Sequence, residues 1–327
     1  MIDSRIDTIS NVAFYNFINP DNLARSYKEH LSDFSTWDKK KHAEEYLVYP
    51  NNIGSKISID EVSLSDGELY TIVTNKSANG RKGALISILN GTKVEQIKKV
   101  LKNIPDSQLE KVTEVTLDMA KNMESASKQC FPNASLVSDR FHVVRLVSDA
   151  LQHVRIKFRW EAIQLENESI KKCRASKVEY NSEVLSNGDT RKQLLARSRH
   201  LLFKATDKWS EQQCKRAEVL FKEYPLIKTA YHLSLQFRSI YNEKIKENAR
   251  VRMKEWIADI EKSNIEEFNT AAESIDNNLE NILNFFNHRS TNANAESFNA
   301  KLKGFRAIMR GVKDLSFFLY RLEKLFA

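Results

Sequence analysis

Residues 56–139 constrain the fold of this chain more than any other stretch, because strand and helix patterns follow one another there in a definite order. Three β-rich runs separated by glycine-containing turns predict an antiparallel meander: KISIDEVSL, ELYTIVTN and GALISILNG. There follow a helix (TKVEQIKKVLKNI), a strand (EVTLD), a second helix (MAKNMESASKQC) and a second strand (ASLVSD). Strands joined through helices are expected to be parallel. The predicted fold class is α/β, a mixed five-stranded sheet with flanking helices.

The remainder of the chain predicts helices. Glycine and proline number only 8 and 5, which favours long helices over short strands with tight connections. We find no convincing strand from about residue 141 to residue 286, and we expect helix breaks at Gly304 and Gly311. The predicted segments are a short helical N-terminal segment (1–52), a core with the strands (53–150), a helical insertion domain (151–286) and a C-terminal helical part of the core (287–327).

The charge of the chain bears on its partners. It has 51 Lys and Arg against 43 Asp and Glu, a formal net charge of +8. This surplus suits nucleic acid, because each neutralised phosphate releases counterions; a protein that is merely basic is the alternative. The sequence has neither an apolar run of bilayer length nor a signal-peptide pattern, so we expect a cytoplasmic protein without a membrane partner. Its three widely spaced cysteines argue against a disulfide framework or a zinc finger.

Carboxylates lie on or directly after the predicted strands. Asp60 alternates with two isoleucines, so it faces away from their side of the sheet, into a cleft or into solvent. Asp118 and Asp139 each end a strand, where open α/β sheets bind ligands, although Asp is also suited to cap the helix that follows. His142 has the chemistry of a metal ligand or a proton shuttle, with a structural role at a helix start as the alternative.

A second group of candidates lies in the last segment, on a helix predicted to begin near Asn292. Glu296, Asn299 and Lys303 share one face of this helix at spacings of three and four residues. A carboxylate, an amide and a cation together could hold a divalent metal and adjacent phosphates. The cations of this region are Arg289, Lys301, Lys303, Arg306, Arg310 and Lys313. A solvated charged helix is the alternative for most of them.

Carboxylates from separate elements suit phosphodiester chemistry. Two Mg²⁺ ions about 4 Å apart can activate a water or a 3′-hydroxyl and stabilise the leaving oxygen, and Mg²⁺ prefers carboxylate oxygens. Asp60 on the first strand and Asp118 on the fourth fit such a site if the two strands are neighbours. Asp139 is the rival for the second acid.

The order of strands, helices and acids resembles RNase H-like nucleases and transposases. Three blocks are similar to the ISL-type DDE transposases of bacterial insertion sequences: SIDEVSLSDGELYTIVTN, EVTLDMAKNM followed by FPNASLVSDRFHVVRLVSDAL, and RSTNANAESFNAKLKGFRAIMRGVKD. The similarity runs over the chain from about Ser26, and DRFHV and TNANAESFNAKLK are its most specific parts. It implies an RNase H-like sheet interrupted by a large all-helical insertion.

The resemblance also implies site residues and a metal cofactor. Asp60, Asp118 and Glu296 match the catalytic acids, which would bind two Mg²⁺ or Mn²⁺ ions. The motif residues beside this site are Asp139, His142, Asn292 and Asn299. The cations expected to contact DNA are Arg289, Lys301, Lys303, Arg306 and Arg310.

The activity implied is metal-dependent hydrolysis and strand transfer at the ends of an insertion sequence. Its partners would be double-stranded DNA, as transposon ends and target, and a second copy of the chain in the synaptic complex. The family's N-terminal zinc element and helix-turn-helix have no counterpart in this sequence. End recognition would then fall to a separate DNA-binding polypeptide or to the helical insertion, or the chain is a truncated copy. A structure-selective nuclease such as a resolvase, and a catalytically inactive DNA-binding relative, remain alternatives.

Overall fold

A computed structural model of the chain describes residues 2–65, 68–289, 292–309 and 314–327. Its contacts divide the chain into two compact units. The first comprises Met1–Arg140 with His288–Ala327, and the second comprises Phe141–Asn287. All the described strands belong to the first unit, whereas the regular structure described in the second unit is helical, as predicted.

The sheet has six strands among the described residues, in the spatial order β1-β4-β3-β2-β5-β6. They are β1 (Tyr46–Val48), β2 (Lys56–Ser65), β3 (Glu68–Asn75), β4 (Leu85–Asn90), β5 (Glu114–Leu117) and β6 (Ser135–Ser138). As predicted, β2, β3 and β4 form an antiparallel meander, and β5 pairs in parallel with both β2 and β6. The predicted number of five strands was wrong, because β1 pairs with β4 from within a segment predicted to be helical.

The described helices connect and cover the sheet in the first unit and build the second unit. They are α1 (Ile9–Tyr15), α2 (Pro20–Ser26), α3 (Val94–Leu101), α4 (Asp106–Leu109), α5 (Lys121–Cys130), α6 (Arg140–Ala175), α7 (Arg191–Arg197), α8 (Glu211–Glu223), α9 (Pro225–Ile240), α10 (Lys246–Ser263), α11 (Asn269–Asn277), α12 (Leu279–Leu283), α13 (Phe285–His288), α14 (Ala293–Ile308) and α15 (Leu315–Phe326). Where the structure is described, no helix is long and apolar enough to cross a membrane.

Alternation along β2 sends its side chains into two different cores. Ile57 and Ile59 are buried in a cluster with apolar residues of α3 and α5. Val62 lies on the other face, in a cluster with aromatic residues of α14 and α15. Helices therefore cover both faces of the sheet, and the polar residues Ser58 and Asp60 lie on the face that α14 covers.

Local sequence signals set the helix boundaries of the second unit. Thr190 and Ser210 begin α7 and α8 with capping boxes, in which each side chain bonds to the backbone three residues later. Pro225 is the first residue of α9, as predicted. Inside the unit, the fully buried indole of Trp256 donates its N–H to the carbonyl of Leu233 at 2.8 Å.

One of the two predicted helix breaks was wrong. Gly304 lies within α14, which continues to Ile308. Its neighbours Leu302 and Phe305 are fully buried, so their packing outweighs the roughly 1 kcal/mol that a glycine costs inside a helix. The other predicted break, Gly311, lies outside the described residues.

Candidate active site

The parallel register places three aspartates at equivalent positions along neighbouring strands. Ser58 of β2 pairs with Thr116 of β5, which pairs with Val137 of β6. The residues two positions further along are Asp60, Asp118 and Asp139. Side chains two positions apart share a face, and neighbouring strands lie about 4.8 Å apart. This register therefore places the three residues at one level across the sheet, with Asp60 midway along β2 and Asp118 and Asp139 directly after β5 and β6.

Asp60 is half-buried and held by hydrogen bonds to both of its carboxylate oxygens. Its Oδ1 accepts the backbone N–H of Glu61 at 2.8 Å, and its Oδ2 accepts the side-chain amide of Asn299 on α14. A charged acceptor strengthens such bonds. The carboxylate is thus fixed in orientation on the side of the sheet that α14 covers.

Asp118 and Asp139 occupy the turns that follow β5 and β6. Asp118 is half-buried, and its Oδ1 accepts the backbone N–H of Ala120 at 2.9 Å. Ala120, not Asp118, is the N-cap residue of α5. Asp139 is only 3% exposed, and its backbone N–H donates to the carbonyl of Leu117 at 2.8 Å, which extends the pairing of the two strands. His142 lies on α6 in the second unit and is half-buried.

α14 carries the third candidate acid above the same face. Asn292, its N-cap residue, lies against Ser58, whose hydroxyl donates to the asparagine carbonyl oxygen. Asn299, seven residues later, contacts Asp60. Glu296 lies between these asparagines, one turn after the first, and its side chain is exposed. The helix is therefore anchored to β2 on either side of Glu296.

The predicted DNA-contacting cations differ in their surroundings. Lys303 and Arg289 are exposed. Lys301 is half-buried and donates to the carbonyl of Gly80 at 3.0 Å, and the guanidinium of Arg306 lies over an aromatic ring of α15, 5.2 Å from its centroid. Arg310 and Lys313 lie outside the described residues. The contacts of Lys301 and Arg306 are within the first unit, so these two cations have structural partners.

The comparison with known families decides the identity. A family model for ISL3-type DDE transposases, described as a transposase, matches residues 57–322, most of the 327-residue chain. The chain belongs to this transposase family. No curated protein and no solved structure gave a match. The matched span includes Asp60, Asp118 and Glu296.

The donor atoms of these candidate residues are of the kind that a hard divalent cation prefers. Mg²⁺ and Mn²⁺ favour carboxylate and amide oxygens, and the side chains of Asp60, Asp118 and Asp139 offer carboxylates. Asn299 is 8% exposed, and its Oδ1 has no hydrogen-bond partner in the described part of the chain. A buried amide oxygen without a partner is costly and could be satisfied by a metal-bound water. Among the described residues, however, no three His, Cys, Asp or Glu side chains are arranged as a metal site.

A buried ion pair, which the sequence did not reveal, lies on the same face towards the start of β5. Lys76, directly after β3, reaches across β2 and donates to Glu114 at 3.1 Å and to the Thr116 hydroxyl at 2.7 Å. Burial lowers the pKa of Lys76, and the Glu114 carboxylate opposes part of this shift. Lys56 also approaches Glu114, at 3.4 Å. The alternation of side chains along EVTLD could have placed Glu114 and Thr116 on one face of β5, but no local pattern pointed to Lys76.

Proposed function

We propose that this chain is a DNA transposase whose catalytic acids are Asp60, Asp118 and Glu296. The observation that carries the proposal is the register that sets Asp60 and Asp118 level on neighbouring strands, together with the contact by which α14 is anchored to Asp60. Family membership supports a transposase function. Two carboxylates from neighbouring strands and one from a helix above them form the donor set that phosphodiester chemistry requires.

The proposed cofactor is a pair of Mg²⁺ or Mn²⁺ ions held by these three acids. When bound, such ions supply a lower pKa for a coordinated water and stabilise charge on the leaving oxygen. The residues of the chain keep the donors in place. The Asn299 amide orients Asp60, and the backbone N–H of Ala120 orients Asp118.

The proposed reaction has two displacement steps at phosphorus. Water attacks the phosphodiester at the end of the element, the bond to the 3′-oxygen breaks, and that oxygen leaves as a 3′-hydroxyl. This hydroxyl then attacks a phosphodiester of the target and displaces the 3′-oxygen there. One phosphodiester bond forms for each one broken in the second step, so joining needs neither a covalent protein intermediate nor an added energy source.

The proposed substrates are double-stranded transposon ends and target DNA, encountered in the cytoplasm. Phosphate contacts from exposed cations such as Lys303 and Arg289 would position the duplex without reading its sequence. Because two ends must be brought together, we propose that two copies act in the synaptic complex. A separate DNA-binding polypeptide is proposed to assist in reading the ends.

A cleavage and strand-transfer assay tests this function. The substrate is DNA carrying the element's own ends, with Mg²⁺ or Mn²⁺, with and without a neighbouring DNA-binding polypeptide. We expect Asp60→Asn, Asp118→Asn and Glu296→Gln each to lower cutting and joining about 100- to 1,000-fold, on the scale of losing a key electrostatic catalytic group. Asp38→Asn is the control, because its side chain is 79% exposed in the same unit.

Circular dichroism must first show that every variant is folded. Three other results of the assay would then each point to a different conclusion. If Asp139→Asn is inactive and Asp118→Asn active, the second acid is misassigned but the function stands. If the wild type cuts without joining, the chain is a nuclease of the resolvase kind. If it binds DNA and never cuts with either metal and with its partner, it is a DNA-binding relative and the enzymatic proposal fails.

A further inference from the structure

Helix α14 is held by two rows of polar side chains. In each row the two residues are seven positions apart, close to two helical turns, so they lie on one side of the helix. Asn292 and Asn299 form the row that contacts β2. Asn294 and Lys301 form the second row, which contacts the connection between β3 and β4, residues 76–84.

The second row consists of side-chain donors that reach acceptors of the connection. The Asn294 amide donates to the Asn79 side-chain oxygen at 2.7 Å and to the Lys76 carbonyl at 3.4 Å. The Lys301 ammonium donates to the Gly80 carbonyl at 3.0 Å. Asn79 and Gly80 both have positive φ angles, 53° and 67°. Both residues therefore have left-handed backbone conformations in the turn that faces the helix.

The two rows flank the apolar stripe of α14. At 100° per residue, the buried side chains lie in an arc between the two rows; they are Ala295, Phe298, Leu302 and Phe305. Contacts on both sides of this arc oppose rotation of the helix about its axis. Because each row has two contacts seven residues apart, the rows also oppose sliding of the helix along its axis. Glu296 lies about 50° beyond the Asn292 row by the same geometry, so its position depends on both rows.

We propose that the β3–β4 connection is a clamp that positions Glu296, and that Asn294 and Lys301 are positioning residues. The inference rests on the proposed function, in which Glu296 is the third acid. Lys76 joins the clamp to the second acid, because its carbonyl accepts from Asn294 while its ammonium donates to Thr116, two residues before Asp118. Lys301, expected from sequence to contact DNA, serves the helix instead.

The clamp predicts a specific kinetic signature for Lys301→Met. Misplacing a catalytic group by about 1 Å can cost about 100-fold in rate, so we expect single-turnover cleavage at saturating DNA to fall about 10- to 100-fold. The Mg²⁺ concentration for half-maximal rate should rise, because one carboxylate is displaced. DNA affinity and its dependence on salt should stay unchanged. Asn294→Ala should behave in the same way, and Lys301→Arg, which keeps a donor, should recover much of the rate.

Two further lysine variants separate this role from DNA binding and from mere loss of charge. Lys303→Met removes an exposed cation two residues away on the same helix, and it should weaken DNA binding and reduce the salt slope by about one if Lys303 contacts a phosphate. Lys99→Met, on the exposed side of α3, should change neither DNA affinity nor its dependence on salt. If Lys301→Met lowers the salt slope and leaves the saturated rate unchanged, Lys301 is a DNA contact and the clamp is refuted.

Hydrogen exchange tests the clamp independently of catalysis. Lys301→Met and Asn294→Ala should speed amide exchange in peptides from α14 and leave α3 peptides unchanged, because α14 loses contacts from one of its two rows and α3 takes no part in them. Unchanged exchange in α14 would overturn the clamp even for an active enzyme. If the wild type never cuts DNA, the proposed function fails, and accelerated exchange together with an unchanged salt slope would still support the clamp as an anchor of the helix.

Discussion

Replacing Lys76 by methionine should destabilise the first unit strongly, because it leaves a buried carboxylate without its nearest described cation. The side chains of Lys76 and Glu114 are 11% and 4% exposed, and their charged atoms lie 3.1 Å apart. Methionine keeps most of the length and apolar surface of lysine. The substitution therefore removes the charge and its hydrogen bonds with little change in packing.

The expected loss is about 3 kcal/mol. Removing one partner of a buried ion pair costs about 3–5 kcal/mol, because the other charge stays buried. The lower end applies here, since Lys56 remains 3.4 Å from Glu114. Burial also lowers the pKa of Lys76, so the wild type already bears a desolvation cost that methionine relieves. In Lys76→Met/Glu114→Gln both charges disappear, and we expect that double variant to lose less than the sum of the single variants.

Hydrogen exchange of peptides covering β2 and β5 measures this effect locally. A loss of 3 kcal/mol corresponds to exchange about 150-fold faster, at 1.36 kcal/mol per factor of ten. Lys128→Met is the matched control: its ion pair with Glu124 is shorter, 2.7 Å, but the Lys128 side chain is 63% exposed. Exposed pairs of this kind contribute well under about 1 kcal/mol. If Lys76→Met changed exchange no more than Lys128→Met, burial would not be the source of the stability of this pair.

Two further predictions concern the helices at the C-terminal end. Gly304→Ala should stabilise the first unit by about 1 kcal/mol in urea unfolding, because α14 is continuous at Gly304 and an added Cβ meets no atom within 4 Å; a lower stability would contradict this geometry. Hydrogen bonds hold the pKa of the Asp33 carboxyl below its ordinary value, the one from Tyr320 with the larger effect and the one from Lys324 with the smaller. Such a carboxyl stabilises the fold above its unfolded pKa, and the contribution is lost as pH falls through the folded pKa. Tyr320→Phe should therefore unfold at a higher pH in acid titration followed by circular dichroism, and an unchanged acid midpoint would refute this role.

The strands could be predicted where their pattern was long enough to be periodic. β2 and β3 have ten and eight residues, so alternation identified both the strands and the face of Asp60. β1 has three residues, too few for a period of two to emerge. It exists because its backbone pairs with β4, about forty residues away in sequence. That pairing is a non-local contact, which no local pattern reports.

The residues of the candidate site could likewise be identified from local patterns, whereas the contacts between them could not. Asp118 and Asp139 could be selected because each follows a predicted strand, and the resemblance to a family joined them to Asp60 and Glu296. The alignment across three strands came from the parallel register, which depends on how helices between the strands pack. The roles of the four acids in metal binding stay predictions. Lys301 had the sequence features of a DNA contact, yet its hydrogen bond with Gly80 depends on a connection more than two hundred residues earlier.

The sequence by itself determined the order of β2 to β6 and of the helices that connect them, the face on which Asp60 lies, and the family. Those properties follow from periods of 2 and 3.6 residues and from short motifs, all of which are local. Only the tertiary structure decided that Lys76 reaches Glu114, that α14 continues through Gly304, and that two rows of polar contacts hold that helix on the sheet. These features arise from burial and hydrogen bonding between distant segments, whose energies depend on which surfaces the folded chain brings together.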